Sequence, residues 1–130
     1  MISYILNPFT GNFDAVNTSE SGDINETSFS ASNNVSTAAN VTGFLFNNAT
    51  VRAFEALVDV YVNATTSLYE TFTLEGIQRA ADWNMSTTST GDTSGFIFSI
   101  TTGGQIQYTN NNYPGFVSAL AKFRAITLSL

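Results

Sequence analysis

The sequence predicts an all-β protein: an antiparallel β-sandwich of jelly-roll type with about eight strands, preceded by an extended N-terminal arm. Three observations predict it. From Thr27 onward apolar side chains recur close to every second position, the period of a half-buried strand. Clusters of Gly, Asn, Ser and Pro interrupt these runs at roughly ten-residue intervals, as turns between short strands do. Thr, which suits pleated surfaces, is the commonest residue at 18 of 130, joined by 14 Ser and 14 Asn that suit turns and edges. Closing two sheets over one core hides the most apolar face per strand, which favours the sandwich. The chain divides into an attachment arm and linker, residues 1–26, and a β-domain, residues 27–130.

In the arm, Ile2, Tyr4 and Leu6 alternate with Ser3 and Ile5, so a short strand is expected before the turn-like Asn7-Pro8-Phe9-Thr10-Gly11. A lone strand cannot pair its own backbone groups, so such an arm docks on something. The polar stretch Asn17 to Asp23 reads as a linker. Ser28-Phe29-Ser30 and Val41 to Phe46 supply the first two strands of the domain. In Val51 to Asn63 the even positions Phe54, Ala56, Val58, Val60 and Val62 form an apolar face, with Ala53, Glu55, Leu57, Asp59 and Tyr61 opposite. Phe72 and Leu74 alternate with Thr71, Thr73 and Glu75, and Trp83, Met85 and Thr87 with Asp82, Asn84 and Ser86. Thr90 to Gly95 turns the chain into Phe96 to Ile100, and Thr102-Gly103-Gly104 is a strong hairpin signal leading to Gln105 to Tyr108. In the last run Val117, Ala119, Ala121, Phe123 and Ala125 are the expected buried face, with Ser118, Lys122 and Arg124 opposite. Val51 to Val58 and Ala119 to Ile126 also contain good helix formers; even spacing and β-branched neighbours favour strand.

Composition removes whole classes of chemistry. The chain contains no His and no Cys, which excludes imidazole catalysis, thiolate nucleophiles, disulfides and ordinary zinc sites. With only four basic residues and a net charge of −6, phosphate-dominated binding of nucleic acid is not expected. No apolar run approaches the ~18 residues of a membrane span, and Met1 to Leu6 lacks a basic n-region and a cleavage site, so a soluble, non-exported chain is expected. No cofactor is expected either: the Walker, GxGxxG, HExxH and GxSxG patterns are all missing.

Any enzyme would have to work with carboxylates, and glycosidases place two of them about 5 to 9.5 Å apart. Glu55 and Asp59 share a strand face but stand roughly 13 Å apart along it. Glu70, Glu75, Asp82 and Asp92 have no spacing that brings them together, so all six are expected to be solvated strand and turn residues, and no enzyme is expected. Asp92 sits in Thr-Gly-Asp-Thr-Ser-Gly, which lacks the ligand series of a calcium loop and reads as a turn cap. Seven Asn-x-Ser/Thr triplets, beginning at Asn17, Asn25, Asn34, Asn40, Asn48, Asn63 and Asn84, follow from a surface rich in these residues. The aromatics are more informative, with 11 Phe, 5 Tyr and 1 Trp. Tyr108, Tyr113 and Phe116 flank Asn110-Asn111-Asn112, and three readings stay open: core filling beside a long turn, a subunit contact, or a stacking surface for sugar. Trp83 also suits the last of these.

The octapeptide Asn7-Pro8-Phe9-Thr10-Gly11-Asn12-Phe13-Asp14 resembles the Asn-Pro-Phe-Thr-Gly-x-(Leu/Phe)-Asp signature near the N-terminus of many tailed-bacteriophage tail-fibre, neck and baseplate proteins. Further stretches, including Thr50 to Val58, Ala64 to Glu70, Glu75 to Arg79, Phe98 to Ile100, Gly104 to Thr109 and Lys122 to Ala125, resemble the small β-rich tip domain of such proteins. The resemblance implies a non-catalytic virion subunit, made in the host cytoplasm and commonly a homotrimer. Its N-terminal segment, here Ile2, Tyr4, Leu6, Asn7, Pro8, Phe9 and Phe13, would attach to other virion proteins. The chain departs from long fibres in having no coiled coil, no repeated shaft and no receptor-binding extension, which favours a short fibre, spike or decorating subunit. Two alternatives accompany this reading: a capsid decoration or cement protein on the head, and a tip module that binds host carbohydrate or a receptor.

Overall fold

A computed structural model describes residues 2–6, 13–17 and 22–130, the first two segments by their backbone pairing. Strand β1 (Ile2–Leu6) pairs antiparallel with β2 (Phe13–Asn17), in a register that sets Ile2 against Asn17, Tyr4 against Ala15 and Leu6 against Phe13. This corrects the expectation of a single strand in an extended arm: β2, whose polar Asp14 and Asn17 obscure its alternation, gives β1 a partner. Asn7, Pro8 and Phe9 and most of the Asn17–Asp23 linker lie outside the described residues.

Eight further strands follow: β3 (Ile24–Ala31), β4 (Ala39–Leu45), β5 (Val51–Asn63), β6 (Leu68–Arg79), β7 (Asp82–Gly91), β8 (Ile97–Ile100), β9 (Gln105–Thr109) and β10 (Ser118–Ser129). They form two antiparallel sheets, one of five strands in the order β3-β10-β5-β6-β7 and one of three in the order β4-β9-β8. All described regular structure is β, as the two-residue period predicts. The pairing does not establish the jelly-roll detail. First pairs with last (β3–β10) and second with second-to-last (β4–β9), but β5, β6 and β7 run as a meander within one sheet, so the two sheets are unequal.

The two segments with helical composition are β5 and β10, and they pair along almost their whole length, from Ser118 opposite Asn63 to Leu128 opposite Ala53. Even spacing decides this, because a strand buries every second residue whereas a helix would scatter these apolar positions around its axis. Their inward faces are Phe54, Ala56, Val58, Val60 and Val62 on β5 and Ala119, Ala121, Phe123 and Ala125 on β10, all buried. Val117 is a correction: it lies before the strand begins and is 69% exposed.

The core fills the space between the sheets. Phe44 lies flat on Phe123 at 4.2 Å, Phe46 on Phe54 at 3.9 Å, and Phe98 meets Phe72 edge-on at 5.0 Å. Each contact joins the three-stranded side to the five-stranded side, and a fully buried Phe contributes about 1.5–3 kcal/mol through removal from water. The predicted hairpin at Gly103-Gly104 joins β8 to β9, with Gly104 at φ 84° and its carbonyl accepting the Phe46 N–H at 2.9 Å. An added Cβ at Gly104 would run into the Phe46 carbonyl oxygen, so only glycine fits this turn. At the start of β3, Asp23 Oδ1 accepts both the backbone N–H and the hydroxyl of Thr127 at 2.7 Å, holding the edge strand where its ladder to β10 is bulged. Among the described residues no helix is long and apolar enough to cross a membrane.

Candidate functional site

The inward side of the five-stranded sheet is occupied by the core except along its β7 margin, so its outward side is the larger surface on which chemistry can be offered. The register defines that surface row by row. Leu128, Ala53, Ile77 and Asn84 form one row; Ile126, Glu55, Glu75 and Ser86 the next; then Arg124, Leu57, Thr73 and Thr88; then Lys122, Asp59, Thr71 and Thr90. Tyr61 and Tyr69 close it with stacked rings 4.9 Å apart, and Tyr61 pushes the Tyr69 hydroxyl above its usual value of 10. Two open grooves, of about 600 and 550 Å³, cross this surface on either side of Glu55 and Ile126. Ile77, Ile126 and Leu128 are all more than half exposed there, and Leu57 nearly so.

Glu55 and Glu75 are register partners, a juxtaposition that their twenty-residue separation concealed. Directly opposite residues of neighbouring strands hold their Cβ atoms about 4.5–5.5 Å apart, and like charges so placed destabilise the sheet. Paired carboxylates are also the working groups of glycosidases. Both side chains are exposed, however, and a general acid needs an apolar enclosure that neither has. No group of three carboxylates that could hold a metal ion occurs among the described residues.

The other candidate carboxylates have structural roles or stand apart. Glu70 is buried and accepts the Ser94 hydroxyl at 2.6 Å and the Ser94 N–H at 2.9 Å. Burial works to raise its carboxyl, but the hydrogen bonds from Ser94 and Ser89 outweigh that and hold it below the usual 4.5. Asp92 accepts the Tyr69 N–H at 3.0 Å and returns its own N–H to the Tyr69 carbonyl at 2.8 Å, the turn cap expected of it. Asp59 faces outward beside Lys122, and Asp82 is exposed at the start of β7.

Of the aromatic cluster, Tyr108 is 3% exposed and Tyr113 6%, which places both in the core. The Tyr108 ring packs between Phe96 and Phe29, and its oxygen accepts the Ser32 N–H at 3.2 Å. Tyr113 donates its hydroxyl to the Ser94 carbonyl at 2.5 Å, and burial pushes that hydroxyl above 10. Phe116 is half-buried against Tyr113. The neighbouring amides tie loop to loop: Asn110 accepts the Val35 N–H at 2.7 Å and donates to the Ser32 carbonyl at 2.8 Å, while Asn33 bonds Asn112 and Tyr113. Trp83 packs against Phe46 and Phe54 and donates its indole N–H to Asn48 at 2.7 Å, so its ring is committed to the interior. Of the proposed attachment residues, Ile2, Tyr4 and Leu6 lie in β1 and Phe13 in β2.

No protein-family model matches the chain, and no curated protein does. Among solved structures it is similar to the tailspike protein of Acinetobacter phage vB_ApiP_P1, at 16% identity and a TM-score of 0.46. The match covers 82% of this chain and 21% of that one, so it spans about a fifth of the tailspike.

Proposed function

We propose that this chain is a non-catalytic structural subunit of a tailed-phage virion, a short fibre, spike, or tail, neck or baseplate component. On this reading it attaches through its N-terminal segment and associates with copies of itself through the β-domain, as three copies. The observation that carries the reading is the division of labour along the chain. The octapeptide falls between and into the two strands of a separate N-terminal hairpin, while the sandwich satisfies its buried side chains internally and leaves one apolar-and-charged sheet face open. A two-stranded hairpin is marginal in water by itself, which suits a segment completed by another protein.

Deleting residues 1–21 tests this. The expected result is a folded β-domain of unchanged far-ultraviolet spectrum that no longer enters particles when supplied in place of the full chain. Incorporation at the normal level would refute attachment through this segment. Particles separated into heads and tails place the protein: recovery on tails supports the proposal, and persistence on tail-free heads supports decoration of the capsid instead. Glycan arrays probe the remaining alternative, for which inertness toward sugars is expected. Native mass measurement of the purified chain is expected to give three copies.

A further inference from the structure

We infer that the outward face of the five-stranded sheet is the surface on which one copy of this chain packs against another. The inference rests on the self-association reading above and names the surface responsible. Exposed large apolar side chains are not spread evenly over the described residues. Leu57, Tyr69, Ile77, Ile126 and Leu128, five of the nine, project from this one face. Leu128 and Ile77, Ile126, and Leu57 occupy three consecutive rows, and contiguous patches of this kind mark interaction sites.

Charge identifies the occupant as another copy. The chain carries −6, so two copies repel unless cations of one meet carboxylates of the other. Half of the chain's four basic residues, Lys122 and Arg124, stand on this face, and Lys122 is the register partner of Asp59. Lys122 and Arg124 lie on β10 and Glu55, Asp59 and Glu75 on β5 and β6, so around a three-fold axis the cationic side of one copy's face meets the acidic side of the next, a head-to-tail contact that closes after three copies. A cationic partner would gain little from a face that already holds two cations, and an anionic one would meet Glu55, Asp59 and Glu75. Four strands spaced about 4.8 Å apart and ten residues long present roughly 650 Å² of flat sheet before side-chain relief is added, which two neighbours in a ring of three would share.

Two substitutions of matched exposure test the face. Ile126, 65% exposed, lies on it, and Ile97, 67% exposed, lies on the other sheet. Light scattering across micromolar concentrations should show Ile126→Asp shifted to the mass of one chain, its association weakened at least 100-fold, and Ile97→Asp unchanged. An oligomeric wild type whose mass survives Ile126→Asp and Leu128→Asp would overturn the inference and leave self-association standing. A wild type that stays at one chain would overturn self-association itself. If Ile126→Asp fails to fold by far-ultraviolet circular dichroism, thiol chemistry replaces it, because the native chain has no Cys. A short bis-maleimide should then join Ile126→Cys chains and leave Ile97→Cys chains single; the reverse would overturn the inference.

Discussion

One carboxylate oxygen of Glu70 takes both the backbone N–H and the hydroxyl of Ser94, at 2.9 and 2.6 Å. Ser94 is wholly enclosed, and its carbonyl receives the Tyr113 hydroxyl, so this contact fixes the turn between β7 and β8 to the loop before β10. Hydrogen bonds to charged groups are worth about 1.5–3 kcal/mol, and Glu70→Ala should cost that much by urea titration. Acid should expose the same contact. The folded carboxyl is held below 4.5, so its contribution is complete above that pH and is lost as the pH falls through the folded value. The stability difference between wild type and Glu70→Gln should therefore shrink on acidification below about pH 4.5; a constant difference would assign the effect to packing.

Phe123 is the largest inward side chain of β10, 1% exposed and stacked on Phe44. Phe123→Ala should destabilise by about 3–5 kcal/mol, because the facing sheets cannot collapse onto the vacated ring. A near-neutral urea midpoint would show that they can.

Gly76 makes room for the Phe54 ring, which would collide with any Cβ at that position. Gly76→Ala should cost about 1–3 kcal/mol by thermal unfolding. Pairing it with Phe54→Leu should recover part of the loss, since the two side chains compete for one space; strict additivity would show that they do not.

Asn110 replaces missing strand pairing for Ser32 and Val35 with its side-chain amide. Asn110→Ala leaves a partly buried N–H and C=O without that partner, and a loss of about 1–3 kcal/mol is expected. Amide exchange at Val35 should accelerate in the variant; an unchanged rate would mean that the loop holds without the clamp.

The strands that were plain in the sequence are those whose period is a local property. β5 carries an apolar side chain at every second position from Phe54 to Val62 and β10 from Ala119 to Ala125, and Gly103-Gly104 announces its own turn. Pairing is not local, and here the sequence was silent. Nothing in the surroundings of Glu55 indicates that Glu75 stands beside it, because β6 must first fold back on β5. The same holds for the aromatics. Tyr108 and Tyr113 sit amid polar residues that suggest a surface, yet their hydroxyls find Ser32 and Ser94, 76 and 19 positions away, and this lets the rings enter the core. β2 was missed because five residues with Asp at the second position and Asn at the last carry too little pattern to outweigh a linker reading.

The unequal width of the two sheets has a kinetic consequence. Toward β7 the three-stranded layer no longer covers the larger sheet, and Thr87 and Ser89 remain exposed on the side where Leu74 and Phe72 of β6 are buried. Amide deuteration should therefore advance as a front from that margin inward, fastest along β7 and slowest where β5 is flanked by β6 and β10.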